Sequence, residues 1–180
     1  RPGHADFTFD AKYGGFRDYR GGGRSSGRET AARVAAGAVA NQILVQKGIK
    51  ITAYTTKAAG IEISKKDFSQ IEQNSMRSPD NDAAKLMQEK IKELQAAGNS
   101  AGGIIECVIK NCPVGVGEPV FDKLDAELAK AMLSIGAVKG FEIGDGFAAA
   151  DSFGSENNDK MHTANGSLYF ETNHAGGVLG

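Results

Sequence analysis

The chain has 180 residues and a mass of 18.9 kDa, enough for one ordinary domain with a sizeable core. Its formal net charge of −1 speaks against a dedicated nucleic-acid binder or a membrane-surface protein, and no apolar run approaches the roughly 20 residues of a transmembrane helix. Two cysteines and three histidines make neither a metal site nor a disulfide scaffold, and no targeting pattern is read at the N-terminus, so a cytoplasmic location is expected.

In chain order, the alternation in residues 5–12 predicts a short strand. Gly21, Gly22 and Gly23 then form a loop that no regular element could hold. Ser26, with Glu29 three residues on, reads as a capping box opening a helix over 28–47, and Gly48 is its natural stop. This helix is apolar nearly all round, which predicts burial. Residues 49–56 and 60–64 are rich in β-branched side chains and read as strands. Residues 65–78 are polar and irregular. A second helix spans 79–97, capped by Asp80 or Asp82, with Ala84, Met87, Ile91 and Leu94 as its apolar stripe.

Residues 103–110 read as a strand, and Pro113, Gly115 and Gly117 as a loop. A third helix is predicted over 121–134, with Leu124, Leu128, Ala131 and Met132 inward. Residues 137–143 read as a strand, 151–166 as a mobile polar loop and 167–172 as a last strand. Strands come in adjacent pairs without regular β–α alternation. The expected class is therefore α+β with antiparallel sheets, organised as a single domain over residues 1–180.

Six of the seven arginines lie within the first 33 residues: Arg1, Arg17, Arg20, Arg24, Arg28 and Arg33. Arg carries a rigid fork that matches phosphate and carboxylate. The nearby acids Asp6, Asp10, Asp18 and Glu29 are too few to neutralise this head, which points to a local anion site. Its centre is the run R-G-G-G-R-S-S-G-R-E-T at 20–30, read as a loop of free amides feeding a helix N-terminus. It is neither a Walker loop nor a dinucleotide fingerprint. An Arg-Gly RNA-binding segment is the bland alternative, but such segments are disordered and weakly hydrophobic, whereas this one enters an apolar helix. His4, beside Arg1, is a candidate acid or base. His174 sits in N-H-A-G-G, where glycines permit close ligand approach or simply a turn. His162 reads as solvated, Cys107 as a buried thiol and Cys112 as a loop thiol.

Six blocks in order carry a family resemblance. They are R-P-G-H-A-D at 1–6, K-Y-G at 12–14, R-D-Y-R-G-G-G-R-S-S-G-R-E-T-A-A-R at 17–33, G-E-P-V-F-D-K-L-D-A at 117–126, A-V-K-G-F-E-I-G-D-G-F at 137–147 and N-H-A-G-G-V-L-G at 173–180. Together they closely resemble chorismate synthase. The resemblance implies a helical layer sandwiched between antiparallel sheets, a homotetramer and binding of reduced FMN, with NADPH involved only indirectly through flavin reduction. It implies a carbon–oxygen lyase of the shikimate pathway, serving aromatic amino acid biosynthesis. The implied reaction is trans-1,4 elimination of phosphate from 5-enolpyruvylshikimate 3-phosphate, without net redox.

Carried over by motif, Arg24, Ser25 and Ser26 would contact FMN, as would the backbone of Gly136 and Ala137 and, at the chain's end, Gly180. Relatives often have Asn or Gln where Gly136 stands, so the contact here would be backbone alone. Arg1 and Arg28 would hold the acidic groups of the substrate, and His4 would be the catalytic histidine beside the flavin. No metal, nucleic acid or membrane partner is implied. The family's opening G-x-S-H-G segment, its K-P-T-S-type flavin loop and its later Arg-x-x-Asp segment are not in this sequence. The expectation is thus the central part of such an enzyme. The alternative is an inactive fragment that serves only as a flavin- and phosphate-binding or assembly module.

Overall fold

The computed structural model of the chain describes residues 4–179. Its elements in order are α1 (Asp6–Lys12), α2 (Glu29–Gln46), β1 (Lys50–Ala58), β2 (Ile61–Glu62), α3 (Asn81–Ala96), β3 (Gly103–Lys110), α4 (Leu124–Leu133), α5 (Gly154–Asn157), β4 (Met161–Ala164) and β5 (Ser167–Phe170), with short 3-10 turns between them. Both sheets are antiparallel, as the paired strands of the sequence predict. The chain divides into two compact units: Ala38–Cys112, and the chain up to Gly37 together with that from Pro113 onward.

The unit Ala38–Cys112 is built on a three-stranded sheet in the order β2-β1-β3. Ala59 and Gly60, at φ of 51° and 82°, form the two-residue connection between β1 and β2. Two positive φ values match the right-handed twist of the strands they join. β1 and β3 run from Lys50 opposite Lys110 to Ala58 opposite Gly103, with one bulge between Thr55 and Lys57. Tyr54 is buried on β1, its ring 5.0 Å from that of Phe68. Its hydroxyl donates to Glu106 at 2.6 Å, and Lys66 donates to the same carboxylate at 2.8 Å. Burial, then the Glu106 carboxylate, push the Tyr54 phenol well above its ordinary pKa.

α3 starts where Asp80 caps it. One carboxylate oxygen of Asp80 accepts from the amides of Asp82 and Ala83, at 3.1 and 3.2 Å. The other accepts from the amide and hydroxyl of Ser64, both at 3.0 Å. Pro79 therefore stays outside the helix, and the 79–97 expectation shortens by two residues at its start. Ala84 and Met87 of the predicted stripe are buried, whereas Ile91 remains exposed. Met87 packs with Ala58 and Ala83, and burying such a side chain stabilises by about 1.5–3 kcal/mol.

In the other unit no described residue is buried. Residues 5–12 form not a strand but α1. Phe9 and Tyr13 meet at helical spacing as a tilted ring pair with centroids 5.8 Å apart, and Asp6 and Lys12 suit the helix dipole at its two ends. α4 begins at Leu124, three residues later than predicted, because Glu118 pairs with Asp122 just before it. Leu124 and Leu128 are half-buried, while Ala131 and Met132 are exposed. Residues 137–143 contain no strand; a turn from Ile135 to Val138 occupies the start of that segment. Residues 151–166 are no bare loop, since they hold α5 and β4. Asn165 and Gly166, at φ of 53° and 77°, make the two-residue turn from β4 into β5.

The largest departure concerns α2, which runs from one unit into the other. Its predicted burial does not occur: Val34, Val39, Ile43 and Val45 are each more than half exposed. An all-round apolar helix needs cover on every side. Among the described residues nothing supplies it.

Candidate functional site

The Arg-Gly run folds as a tight turn. Gly23, at φ 53°, opens a 3-10 turn, Gly23–Ser25. The Ser25 hydroxyl donates to the Gly22 carbonyl at 2.6 Å. The amides of Ser25, Ser26, Glu29 and Thr30 all bond to carbonyls within the loop, and the Arg28 amide donates to the Ser26 hydroxyl at 3.2 Å. The expectation of a loop of free amides holds in part: these amides are used to fold the loop, whereas those of Gly21, Gly22, Gly23, Arg24 and Gly27 have no acceptor among the described residues. The capping box is corrected too: Glu29 turns to the Arg24 guanidinium at 3.0 Å.

The arginine head sorts itself by partner. Arg17 pairs with Asp10 at 2.6 Å and lies 3.9 Å from Asp6. Arg20 pairs with Asp18 at 3.2 Å, and its amide and guanidinium hold that carboxyl below its ordinary pKa. Arg24 pairs with Glu29, although its side chain is 93% exposed and so open to exchange. Among the described residues, the four acids thus engage three arginines. Arg33 bonds instead to Ser134. Among the described residues, the Arg28 guanidinium has no hydrogen-bond or ion-pair partner.

The glycines of this region are unusual in a second way. Gly21, Gly27 and Gly136 do not have positive φ, and a Cβ added to any of them would meet no atom within 4 Å. Their backbones do not require glycine. Open space in front of them is what a Cβ would fill.

His4 is exposed, with Nδ1 3.9 Å from an Asp6 oxygen. Gly136 and Ala137 lie in the turn after α4, where Ala137 has φ 69°. Arg1 and Gly180 fall outside the described residues. His174 is held more firmly than a plain loop turn. Its Nδ1 bonds to the Asp145 carboxylate, and its carbonyl accepts from the Asp145 amide at 2.8 Å. Asp159 accepts from the Thr172 hydroxyl and from the amides of His174 and Ala175, which hold its carboxyl below the ordinary range. A Cβ on Gly144 would run into the His174 carbonyl, so glycine is required there. His162 is not simply solvated: it sits on β4, stacked on Tyr169 at 5.3 Å. Cys107 and Cys112 are both free and exposed, which corrects the buried-thiol reading of Cys107. No group of three or more possible metal ligands occurs among the described residues.

Comparison with known proteins decides the family. A profile described as chorismate synthase matches residues 1–180. The chain is 57% identical to the chorismate synthase of Agathobacter rectalis and 53% identical to that of Methanosarcina mazei, each over its whole length. The chain belongs to the chorismate synthase family. A crystal structure of chorismate synthase superimposes with a TM-score of 0.88 at 34% identity over 96% of this chain, so the α+β fold is the chorismate synthase fold. The chain spans about half the length of the relatives: 49% of the Agathobacter enzyme, 50% of the Methanosarcina enzyme and 57% of the solved chain.

Asp145 and Asp159 were not among the residues singled out from the sequence. Asp145 lies between two glycines and Asp159 in a polar stretch, so neither carries a local signal of its tie to His174.

Proposed function

We propose that this chain carries part of the flavin- and substrate-binding surface of a chorismate synthase. The reaction is trans-1,4 elimination of phosphate from 5-enolpyruvylshikimate 3-phosphate, giving chorismate without net redox. The observation that carries this reading is the Arg28 guanidinium, without a partner among the described residues, in the same loop as the Ser25 and Ser26 hydroxyls and the open Gly21 and Gly27. A multiply anionic substrate needs fixed cations, and Arg28 offers a whole fork that no acid among the described residues has claimed. Arg1 shares that role in our reading.

The residues present also fit a flavin phosphate and ring. Arg24 is exposed, the Ser25 oxygen can still accept, and the Ser26 hydroxyl can still donate. Gly136 leaves room for a flat ligand against its backbone, with Ala137 next to it. Gly180 completes this set in our reading. Reduced FMN, when bound there, would supply the electron density that the elimination needs. His4 is assigned the acid role: Asp6 stands on its Nδ1 side, leaving Nε2 to hold or give a proton.

The parent enzyme is proposed to be a cytoplasmic homotetramer and a carbon–oxygen lyase. The exposed apolar sides of α2 support burial against another surface. No described helix is long and apolar enough to cross a membrane.

A second reading is favoured by the half-length match and by the unit without buried residues. In it, the 180-residue chain binds ligand but does not turn substrate over. The test is a chorismate absorbance assay with reduced FMN, run beside an anaerobic FMN titration. Binding with negligible turnover is expected. Turnover near that of a full-length relative would refute the second reading, and absence of any FMN binding would refute the first.

A further inference from the structure

The turn after α4 has its small residues in an odd order. Gly136 stands where the backbone does not call for glycine, and Ala137 stands at φ 69°, where glycine or asparagine is usual. The Val138 amide bonds to the Ile135 carbonyl at 3.3 Å and closes the turn. An L residue in this region persists only when its surroundings hold it there.

Arg33 reaches the start of this turn. The guanidinium reaches from α2 to the end of α4, 101 positions away in the chain. One nitrogen donates to the Ser134 hydroxyl at 2.8 Å and another to the Ser134 carbonyl at 3.1 Å. The Ser134 hydroxyl in turn donates to the Ala131 carbonyl at 2.6 Å. Carbonyls at a helix C-terminus lack helical partners, and a cation there also meets the negative end of the dipole. The same helix α2 begins three residues after Ser26 of the Arg-Gly loop.

We infer that Arg33 is a positioning residue: it locks the turn at Ser134–Val138 to the helix that follows the Arg24–Ser26 loop, so that both segments present their groups to one ligand. The inference rests on the flavin reading given above. It gives Arg33 a duty distinct from that of Arg24 and Arg28, which face the ligand themselves.

The test uses the 180-residue chain with FMN as the probe. FMN fluorescence titration is combined with amide hydrogen exchange at residues 136–138. Arg33→Ala should raise the FMN dissociation constant about tenfold and speed exchange at 136–138, while exchange in β1 stays as in the wild type. Arg33→Lys should rescue only in part, because an ammonium cannot reproduce the fork on hydroxyl and carbonyl. Ser134→Ala should add little to Arg33→Ala, since the two side chains share one contact. Arg24→Ala should weaken FMN without changing exchange at 136–138. If the wild type binds FMN and Arg33→Ala leaves both readouts unchanged, the inference alone falls. Equal rescue by Arg33→Lys would also overturn it, because a charge anywhere nearby would then suffice. If the wild type binds no FMN, the flavin reading falls and takes the inference with it.

Discussion

The two units of this chain solve different problems. In Ala38–Cys112 a sheet and a helix bury Tyr54, Ile71, Ala84 and Met87, and the buried carboxylate of Asp80 is fully bonded. The other unit buries no described residue and exposes Phe7, Phe16, Phe121, Phe147 and Phe153. Its order comes from local hydrogen bonds, ion pairs and close glycine contacts instead. All six family blocks lie within that second unit, and so do the proposed ligand residues. The contrast shows that a motif-rich surface need not own a core. Side chains kept out of packing are the ones left free to meet a ligand, as we propose for Arg28.

Paired truncations give the widest test of this contrast. Met87→Ala removes a fully buried side chain and should cost about 2–5 kcal/mol, read as faster amide exchange across β1 and α3. Phe147→Ala removes a larger side chain that is 81% exposed and should change stability by no more than about 0.5 kcal/mol. Equal losses would erase the distinction between the units.

A smaller effect sharpens it. The Ser64 amide most of all, opposed by burial but helped by the Ala83 amide, the Ser64 hydroxyl and the Asp82 amide, holds the Asp80 carboxyl down to about 2. A depressed folded value means the stabilisation is full above the ordinary carboxylate pKa and is lost as the pH falls from about 4 toward about 2. Asp80→Ala should cost about 1–2 kcal/mol near neutral pH and flatten that acid limb in α3 exchange. An unchanged acid limb would mean that Asp80 does not govern it.

Much of the core unit was legible in the sequence. The run at 103–110 is β-branched and bounded by Gly102 and by Asn111 to Pro113, and β3 occupies that span. Asp80 before an apolar stripe gave away α3 and its cap. Segments 5–12 and 137–143 misled because a few alternating residues look alike in a strand, a short helix or a turn. In the first, the Phe9–Tyr13 spacing favours a helix, and in the second, a turn closed by the Val138 amide on the Ile135 carbonyl, with Ala137 at φ 69°, takes up the start of the segment. For α2, composition reveals a helix's demand for burial but not whether the chain supplies it. The site was partly legible in the same way. Counting acids against arginines shows a surplus of cations. Which arginine is left over depends on how the loop folds, and the Arg33 tie to Ser134 has no local signature at all.

The central claim is that Arg28 is held open for an anionic ligand. Calorimetric titration of 5-enolpyruvylshikimate 3-phosphate into the wild type, Arg28→Ala and Arg28→Lys tests it most directly. Arg28→Ala should weaken binding by roughly 1.5–3 kcal/mol, the scale of a charge-assisted hydrogen bond, and Arg28→Lys should recover only part of that loss. The circular dichroism melt should stay unchanged, because the guanidinium supports no contact within the described fold. Unchanged substrate affinity together with a lowered melt would contradict the account and make Arg28 part of the scaffold.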